Sequence, residues 1–333
     1  MEGQIKPFIP VRDSRRHDRL PAKWVPIVRR RPVGFRLDIL RGSQPIPVMS
    51  DLLLSYAISR GRALPPPPHD DEVLGRLAAA VYLHPLREGR RSPREEAYLA
   101  GATPQRLETS QGLVSTWRWG PADGPLVGLV HGWQGHAGQL GGFAAPLVAA
   151  GFGVLAFDAP GHGDSPDAEL SVPSLARVVT DLGTRLGGFF GLVGHSMGAA
   201  AAAMATTLGV RPAALVLVSP PLSQAESVAR MADRLQFTPA VAEAFVRALE
   251  QKSGFRHGEV DMRVAARRAG FPALLFHDPE DRSTPFRNSE LIAAEWPGAR
   301  IVPCPGRGHL RILSTPSVHE QTVAFLSARR PPG

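Results

Sequence analysis

From about residue 105 onward the chain alternates short apolar runs with longer amphipathic stretches. The runs at 126–131 (LVGLVH), 153–157 (GVLAF), 189–194 (FFGLVG), 213–219 (AALVLVS), 272–277 (PALLFH) and 299–303 are too short for helices and are bounded by Gly, Pro or polar residues. Each therefore reads as a strand. Helical spacing fits 138–150, 171–187, 197–208, 286–296 and 316–328. Strands that are apolar throughout are expected to be buried on both faces, which calls for a parallel sheet covered by helices. The expected architecture is a doubly wound, mostly parallel α/β domain over 105–330, with ligands bound at the carboxyl ends of its strands. Ahead of the first parallel strand, "RLETSQGLVSTWRWG" reads as a hairpin turning near Gln111 and Gly112.

Two segments depart from this alternation. Residues 49–104 read as a helical lead-in. It holds a stiff "PPPP" spacer at 65–68, a helix over 71–83, and a second helix start at Ser92, Pro93 and Glu95. Those three residues supply an N-cap, a first-turn proline and the acidic partner of a capping box. Between Ser219 and Pro272 about 50 residues carry no strand. Thr238 and Pro239 form a cap and first-turn pair there, separating amphipathic pieces at 223–236 and 239–252. Val228, Met231 and Leu235, then Val241, Phe245, Val246 and Leu249, lie at helical spacing. Such an insert at a strand's carboxyl end overhangs the ligand side, so 222–262 is expected to form a short helical cap. Phe245 and Leu249 would then face an acyl chain; the other reading of the same stripes is plain core packing.

Composition narrows the class. With 333 residues and 43% apolar content, a sizeable core is expected. No run of about 18 apolar residues occurs, so no transmembrane segment is expected. The first 30 residues lack a signal-peptide apolar region. Cys304 is the only cysteine, which rules out an intramolecular disulfide, and zinc-ligand spacings are missing. A cytoplasmic protein needing no metal and no cofactor is the expectation. The net charge of +8 is concentrated at one end: residues 1–48 hold 11 Lys/Arg against 4 Asp/Glu, and the rest holds 27 against 26. A basic arm can bind nucleic acid or an anionic membrane. The near-neutral remainder argues against nucleic acid, so the proline-rich arm is expected to be a disordered, solvated tail, or to precede a true start at Met49. Nothing in the sequence specifies an oligomeric state.

The chemistry-bearing residues fall at strand ends. Gly194-His195-Ser196-Met197-Gly198 joins an apolar strand to an alanine-rich helix. A turn this sharp lifts the serine off the sheet edge beside the positive end of the next helix, as a nucleophile requires. The strand at 126–131 runs into "HGWQGH", where the Trp133 amide is placed to pair with the Met197 amide as an oxyanion hole. His131 is expected to brace that loop and His136 to lie at the surface or pocket rim. The strand at 272–277 is followed by Asp278, Glu280 and Asp281, and the last strand by Gly308 and His309. Ser, acid and His thus occur in the chain order of a serine hydrolase on this fold. His309 would take the serine proton and return it to the leaving group.

With these residues placed, "LVHGWQGH", "LAFDAPGHGDSP", "GLVGHSMGAA", "LLFHDPEDRSTPF" and "GRGHL" together resemble the α/β-hydrolase family, in its lysophospholipase-like, monoacylglycerol-lipase-like and S33 aminopeptidase-like branch. The likeness spans about 105–330. It implies a Ser196–Asp281–His309 triad acting on a small-molecule acyl ester through an acyl-enzyme. The family's acid loop reads His-Gly-x-x-Asp-x-x-Val-Pro; here Asp281 falls on the acid position, Asp278 replaces the glycine and Thr284 the valine. Asp278 is the alternative acid. Asp158 and Asp164, in the loop after the second parallel strand, are expected to brace that loop. Thioester or amide cleavage, aminopeptidase action and acyl transfer would use the same triad. A catalytically silent binding protein is the competing class, although silent members commonly lack one of the three residues.

Overall fold

A computed structural model describes residues 70–85 and 91–330. The basic arm, the proline spacer and the rest of 1–69 lie outside the described residues, as do 86–90 and 331–333. In chain order the elements are helices α1 (Asp71–Leu83) and α2 (Pro93–Ala100), then strands β1 (Thr103–Thr109), β2 (Gly112–Trp119) and β3 (Leu126–Val130). A 3-10 segment (Ala137–Phe143), α3 (Ala144–Ala149), β4 (Gly153–Phe157), α4 (Val172–Arg185), β5 (Gly191–His195) and α5 (Met197–Thr207) follow. Next come β6 (Ala214–Val218), α6 (Gln224–Arg234), α7 (Pro239–Ser253), α8 (Met262–Arg268) and β7 (Ala273–His277). The chain closes with α9 (Arg287–Glu295), β8 (Arg300–Pro303), α10 (Gly308–Arg311) and α11 (Pro316–Ser327).

The strands form one eight-stranded sheet in the order β1-β2-β4-β3-β5-β6-β7-β8. β1 and β2 pair antiparallel, as do β2 and β4; every other pair is parallel. All residues of β3 to β7 are buried, as their uninterrupted apolar sequences require. Alternate residues serve opposite faces. Leu192, Leu215 and Leu275 pack with α4, α5 and α9 residues such as Val179, Ala201 and Ile292. Val193, Val216 and Phe276 pack on the other face with Phe143, Leu147 and Phe325. The chain leaves β3 toward β4 on one side and β5 toward β6 on the other. The carboxyl ends of adjacent β3 and β5 are therefore the switch point, where this architecture opens a crevice.

The expected 138–150 helix is instead a 3-10 segment followed by the short α3. Three glycines at 138, 141 and 142 weaken helix formation there. They also permit close contact, since a Cβ at Gly141 would run into the Tyr98 side chain of α2. The Ser92–Glu95 capping box forms with Pro93 in the first turn, and Thr238 caps α7 through the Val241 amide.

α1 lies on α7. Ala78, Ala79 and Leu83 share a separate buried cluster with Val228, Phe245, Ala248 and Leu249. Phe245 and Leu249 are 0% and 1% exposed. They are thus core between α1 and the insert helices, which corrects the expectation that they face a ligand. The approach is close at Gly75, where a Cβ would sit 2.6 Å from the Ala244 carbonyl carbon and the Phe245 nitrogen. Gly75→Ala gains about 1 kcal/mol of helix propensity. It also overpacks the helix contact at a cost of about 1–3 kcal/mol. The net effect should be a lower thermal unfolding midpoint; a raised midpoint would show that α1 does not seat on α7 this closely.

Candidate active site

The β5–α5 turn places Ser196. Its φ is 51° and ψ −121°, a conformation unfavourable for a residue with a side chain. Close packing holds it there. A Cβ at Gly194 would lie 2.6 Å from the Ala199 Cα, and one at Gly198 would strike the Val130 carbonyl oxygen. Only glycine at both positions lets α5 rest this tightly on the sheet. The Ser196 amide donates to the Val218 carbonyl at 2.9 Å, fixing the turn to β6.

The loop after β3 runs alongside. A Cβ built on Gly132 would be 3.1 Å from the Ser196 Cβ, so the Trp133 amide follows directly from a residue in contact with the serine. Met197 is the first residue of α5, where an amide has no intrahelical acceptor. The Trp133 amide likewise has no acceptor among the described residues. Both are free for an anionic oxygen.

Several side chains pin this loop. His131 Nε2 accepts from the Ala159 amide at 2.9 Å, so Nδ1 carries the proton and donates to the Gly132 carbonyl at 2.7 Å. Burial pushes the His131 imidazole down to about 4, which keeps this neutral tautomer. Asp158 accepts from the Ala137 and Asp164 amides, both at 2.7 Å, and from Arg91 at 2.8 Å. His131 and Asp158 are braces, as expected. Asp164 shares that task by pairing with Arg91 at 2.9 Å. Of the two places expected for His136, the surface and the pocket rim, burial excludes the first. It is 9% exposed rather than at the surface, and its Nε2 lies 3.8 Å from Glu95 of α2.

The acid loop and the histidine loop meet at the carboxyl ends of β7 and β8. His309 Nδ1 lies 2.7 Å from Asp281 Oδ2. A carboxylate only accepts, so Nδ1 donates and Nε2 is left with a lone pair. The other Asp281 oxygen accepts from the Ser283 amide at 2.7 Å and the Thr284 amide at 3.1 Å. Its Oδ2 also lies 3.6 Å from His277 Nε2. Burial alone would push the Asp281 carboxyl up. The nearby His277 ring, the His309 imidazole and the Thr284 amide outweigh it and hold the group far below the usual carboxylate range.

Asp278 sits apart from the imidazole. Its Oδ1 accepts from the Glu280 amide at 2.9 Å and its Oδ2 from the Gly308 amide. The second carboxylate thus ties the histidine loop's backbone to the acid loop. The sequence offers Asp278 only as an alternative acid, and its hydrogen bond to the Gly308 amide gives it a different place.

Sequence reasoning also gave no task to His195. Its Nε2 donates to the His309 carbonyl at 2.9 Å, and the two rings lie 4.8 Å apart. Desolvation pushes the His195 imidazole down to about 3, so it remains neutral. Three groups therefore fix His309: Asp281 at the ring, His195 at the carbonyl and Asp278 at the preceding amide. Ser196 Oγ and His309 Nε2 are not hydrogen-bonded in this structure, and in unliganded enzymes that bond commonly forms only when substrate arrives.

A family model described as serine aminopeptidase, S33, matches residues 123–263, a span that includes Trp133, Ser196 and Met197. A pimeloyl-[acyl-carrier protein] methyl ester esterase of Chromobacterium violaceum is 31% identical over 244 residues, covering 60% of this chain and 91% of that protein. The protein of the same name in Nitrosomonas europaea is 27% identical over 256 residues, covering 62% and 96%. Among solved structures, a Pyrococcus furiosus esterase superposes with a TM-score of 0.55 at 18% identity, over 74% of this chain and 96% of that one. A Pseudomonas aeruginosa hydrolase gives 0.52 at 23% identity, over 67% and 98%. At these identities the two structures show a shared fold.

The two carboxylates predict unequal effects. Asp281→Asn replaces the charged acceptor with an amide whose NH2 can donate to Nδ1 and so favour the wrong tautomer, and it should lower kcat/KM for p-nitrophenyl acetate by about 10³–10⁴-fold. Asp278→Asn loosens the loop only and should cost about 10–100-fold. Steady-state kinetics on both variants checks the order, and a reversed order would make Asp278 the acid.

Proposed function

The chain belongs to the α/β-hydrolase family of serine hydrolases, and from that premise we propose that it hydrolyses a carboxylic ester through an acyl-enzyme on Ser196. The observation that carries this reading is the His309–Asp281 pair at 2.7 Å, which leaves His309 Nε2 as a base on the same sheet edge as a strained serine.

In the proposed reaction His309 Nε2 takes the hydroxyl proton as Ser196 Oγ attacks the ester carbonyl. The tetrahedral oxyanion accepts from the Trp133 and Met197 amides. Asp281 stabilises the imidazolium without taking its proton. Collapse breaks the ester C–O bond, and His309 returns the proton to the departing alcohol. Water then enters, gives a proton to His309 and attacks the acyl carbon. The second collapse releases the carboxylic acid and restores the Ser196 hydroxyl. This chemistry needs no metal and no cofactor.

Two curated relatives are named as methyl ester esterases, which supports an ester of a carboxylic acid as the substrate class. No helix among the described residues is long and apolar enough to cross a membrane. A cytoplasmic enzyme acting on a small-molecule acyl ester, without nucleic acid as a partner, is the reading we adopt.

Ser196→Ala should lower kcat for p-nitrophenyl ester hydrolysis by about 10⁴-fold or more, and His309→Ala by nearly as much. The double variant should lose little beyond either single one, because the two residues form one proton-transfer unit. Multiplicative losses in the same assay would show that His309 acts elsewhere.

A further inference from the structure

One buried hydroxyl stands against the acid–histidine pair and has no task in the reaction above. Thr284 Oγ1 lies 3.3 Å from Asp281 Oδ2, 3.3 Å from the Ser219 carbonyl oxygen, 3.4 Å from His277 Nε2 and 3.4 Å from His309 Nδ1. A hydroxyl has one proton to give, and the state of each neighbour decides where it goes. His309 Nδ1 already carries a proton, which it gives to Asp281. His277 Nε2 carries one too, because it lies 3.0 Å from the Thr284 carbonyl and a carbonyl only accepts. His277 Nδ1 then accepts from the Ser289 hydroxyl at 2.7 Å. Neither ring nitrogen can receive the Thr284 proton. Its acceptors are the Asp281 carboxylate and the neutral Ser219 carbonyl.

Between these two acceptors, charge decides. A hydrogen bond to an ionised group is roughly twice as strong as one between neutral groups. Asp281 is ionised, and its side chain has no exposure to water that could supply a donor instead. Its Oδ1 is taken up by the Ser283 and Thr284 amides. Its Oδ2 is the oxygen that accepts from His309 at 2.7 Å. The Thr284 proton therefore falls on the same oxygen as the His309 proton. Two donors on one carboxylate oxygen divide its charge, so each is held less firmly than it would be alone.

We propose that Thr284 is a positioning residue whose hydroxyl, donated to Asp281 Oδ2, limits how strongly the carboxylate holds the His309 imidazolium and so keeps the ring a free base in mildly acidic solution. This rests on the ester-hydrolase reading above. An undivided carboxylate would hold the imidazolium more tightly. The ring would then keep its proton to higher pH, and the serine would lack a base there. The other groups around the pair leave this contrast intact. His195 of β5 stays neutral, since burial pushes it down to about 3. Both nitrogens of His277, at the end of β7, are engaged. Asp278 is turned to the Glu280 and Gly308 amides, and Arg230 of α6 reaches the Ser283 carbonyl at 3.1 Å. Arg282, Arg307 and Arg311, on the acid and histidine loops themselves, are exposed.

The test records kcat/KM for p-nitrophenyl acetate against pH in wild type, Thr284→Val and Thr284→Ser. Valine keeps the branched shape without the hydroxyl, and serine keeps the hydroxyl without the methyl. The acid limb of the Thr284→Val profile should lie about half to one pH unit above that of wild type, and the limb of Thr284→Ser within about 0.2 unit of it. A hydroxyl given to Ser219 instead would make Thr284→Val less stable and leave the limb in place, which would overturn the proposal. A limb moved to lower pH would overturn it too. A cooperative thermal transition establishes that each variant is folded, and Thr284→Ala replaces Thr284→Val if the latter is not. A second arm is independent of turnover and uses proton NMR in a Ser196→Ala background. The His309 Nδ1–H resonance, identified by its loss on adding His309→Gln, should move downfield with Thr284→Val as the bond to Asp281 strengthens, and return with Thr284→Ser. A resonance that stays in place or moves upfield would refute the hydroxyl's place on Asp281. The downfield move in a protein whose wild type hydrolyses no ester would refute the ester-hydrolase reading while supporting the hydrogen bond.

Discussion

Asp281 holds a negative charge where its side chain has no exposure to water. Such burial is costly unless the charge is fully hydrogen-bonded. Here the cost is offset by two loop amides, the Thr284 hydroxyl and the His309 imidazole. The loop after β7 exists in this shape because the carboxylate organises it. The ionised carboxylate in turn selects the His309 tautomer. A proton held on Nδ1 makes Nε2 the basic nitrogen, and the proposed proton transfer depends on that. A neutral side chain at 281 would undo both the loop and the base.

The rest of the site brings the serine to that nitrogen. Ser196 sits in a backbone conformation that costs on the order of 1–3 kcal/mol. The tight seating of α5 against β3 and β5 sustains it, through glycines at 194 and 198. The switch point between β3 and β5 then puts the Trp133 loop beside the serine. His131, His162 and Asp158 hold that loop through hydrogen bonds to Gly132, Gln134 and Ala137. Arg91 reaches Asp158 from ahead of the sheet, so residues preceding the α/β core also steady the site.

The parallel sheet was legible because β3 to β7 carry apolar residues or glycine on both faces up to their last position, a pattern that two-sided burial explains. The residues of the proposed triad stood out in the sequence because each follows a strand in the order Ser, acid, His. What escaped the sequence was pairing over distance. His195 bonds to a carbonyl 114 residues away, and Asp278 to an amide 30 residues away. No local period encodes such contacts. The stripe at Val241, Phe245 and Leu249 was legible as apolar, yet its partner is a helix more than 150 residues upstream. Pattern reveals that a face is buried and is silent about what buries it. The broken 138–150 helix shows the same limit, since its glycines at 138, 141 and 142 admit Glu95, Tyr98 and His319, residues brought there from elsewhere in the chain.

The claim that joins these observations is that Ser196 is the atom on which chemistry occurs, activated by His309 under the control of Asp281. Intact-protein mass spectrometry after treatment with a fluorophosphonate, followed by peptide mapping, tests it most directly. The account predicts one adduct per chain, on the peptide containing Ser196, forming far more slowly in Asp281→Asn and not at all in Ser196→Ala. An adduct on another residue, or one that persists in Ser196→Ala, would contradict it.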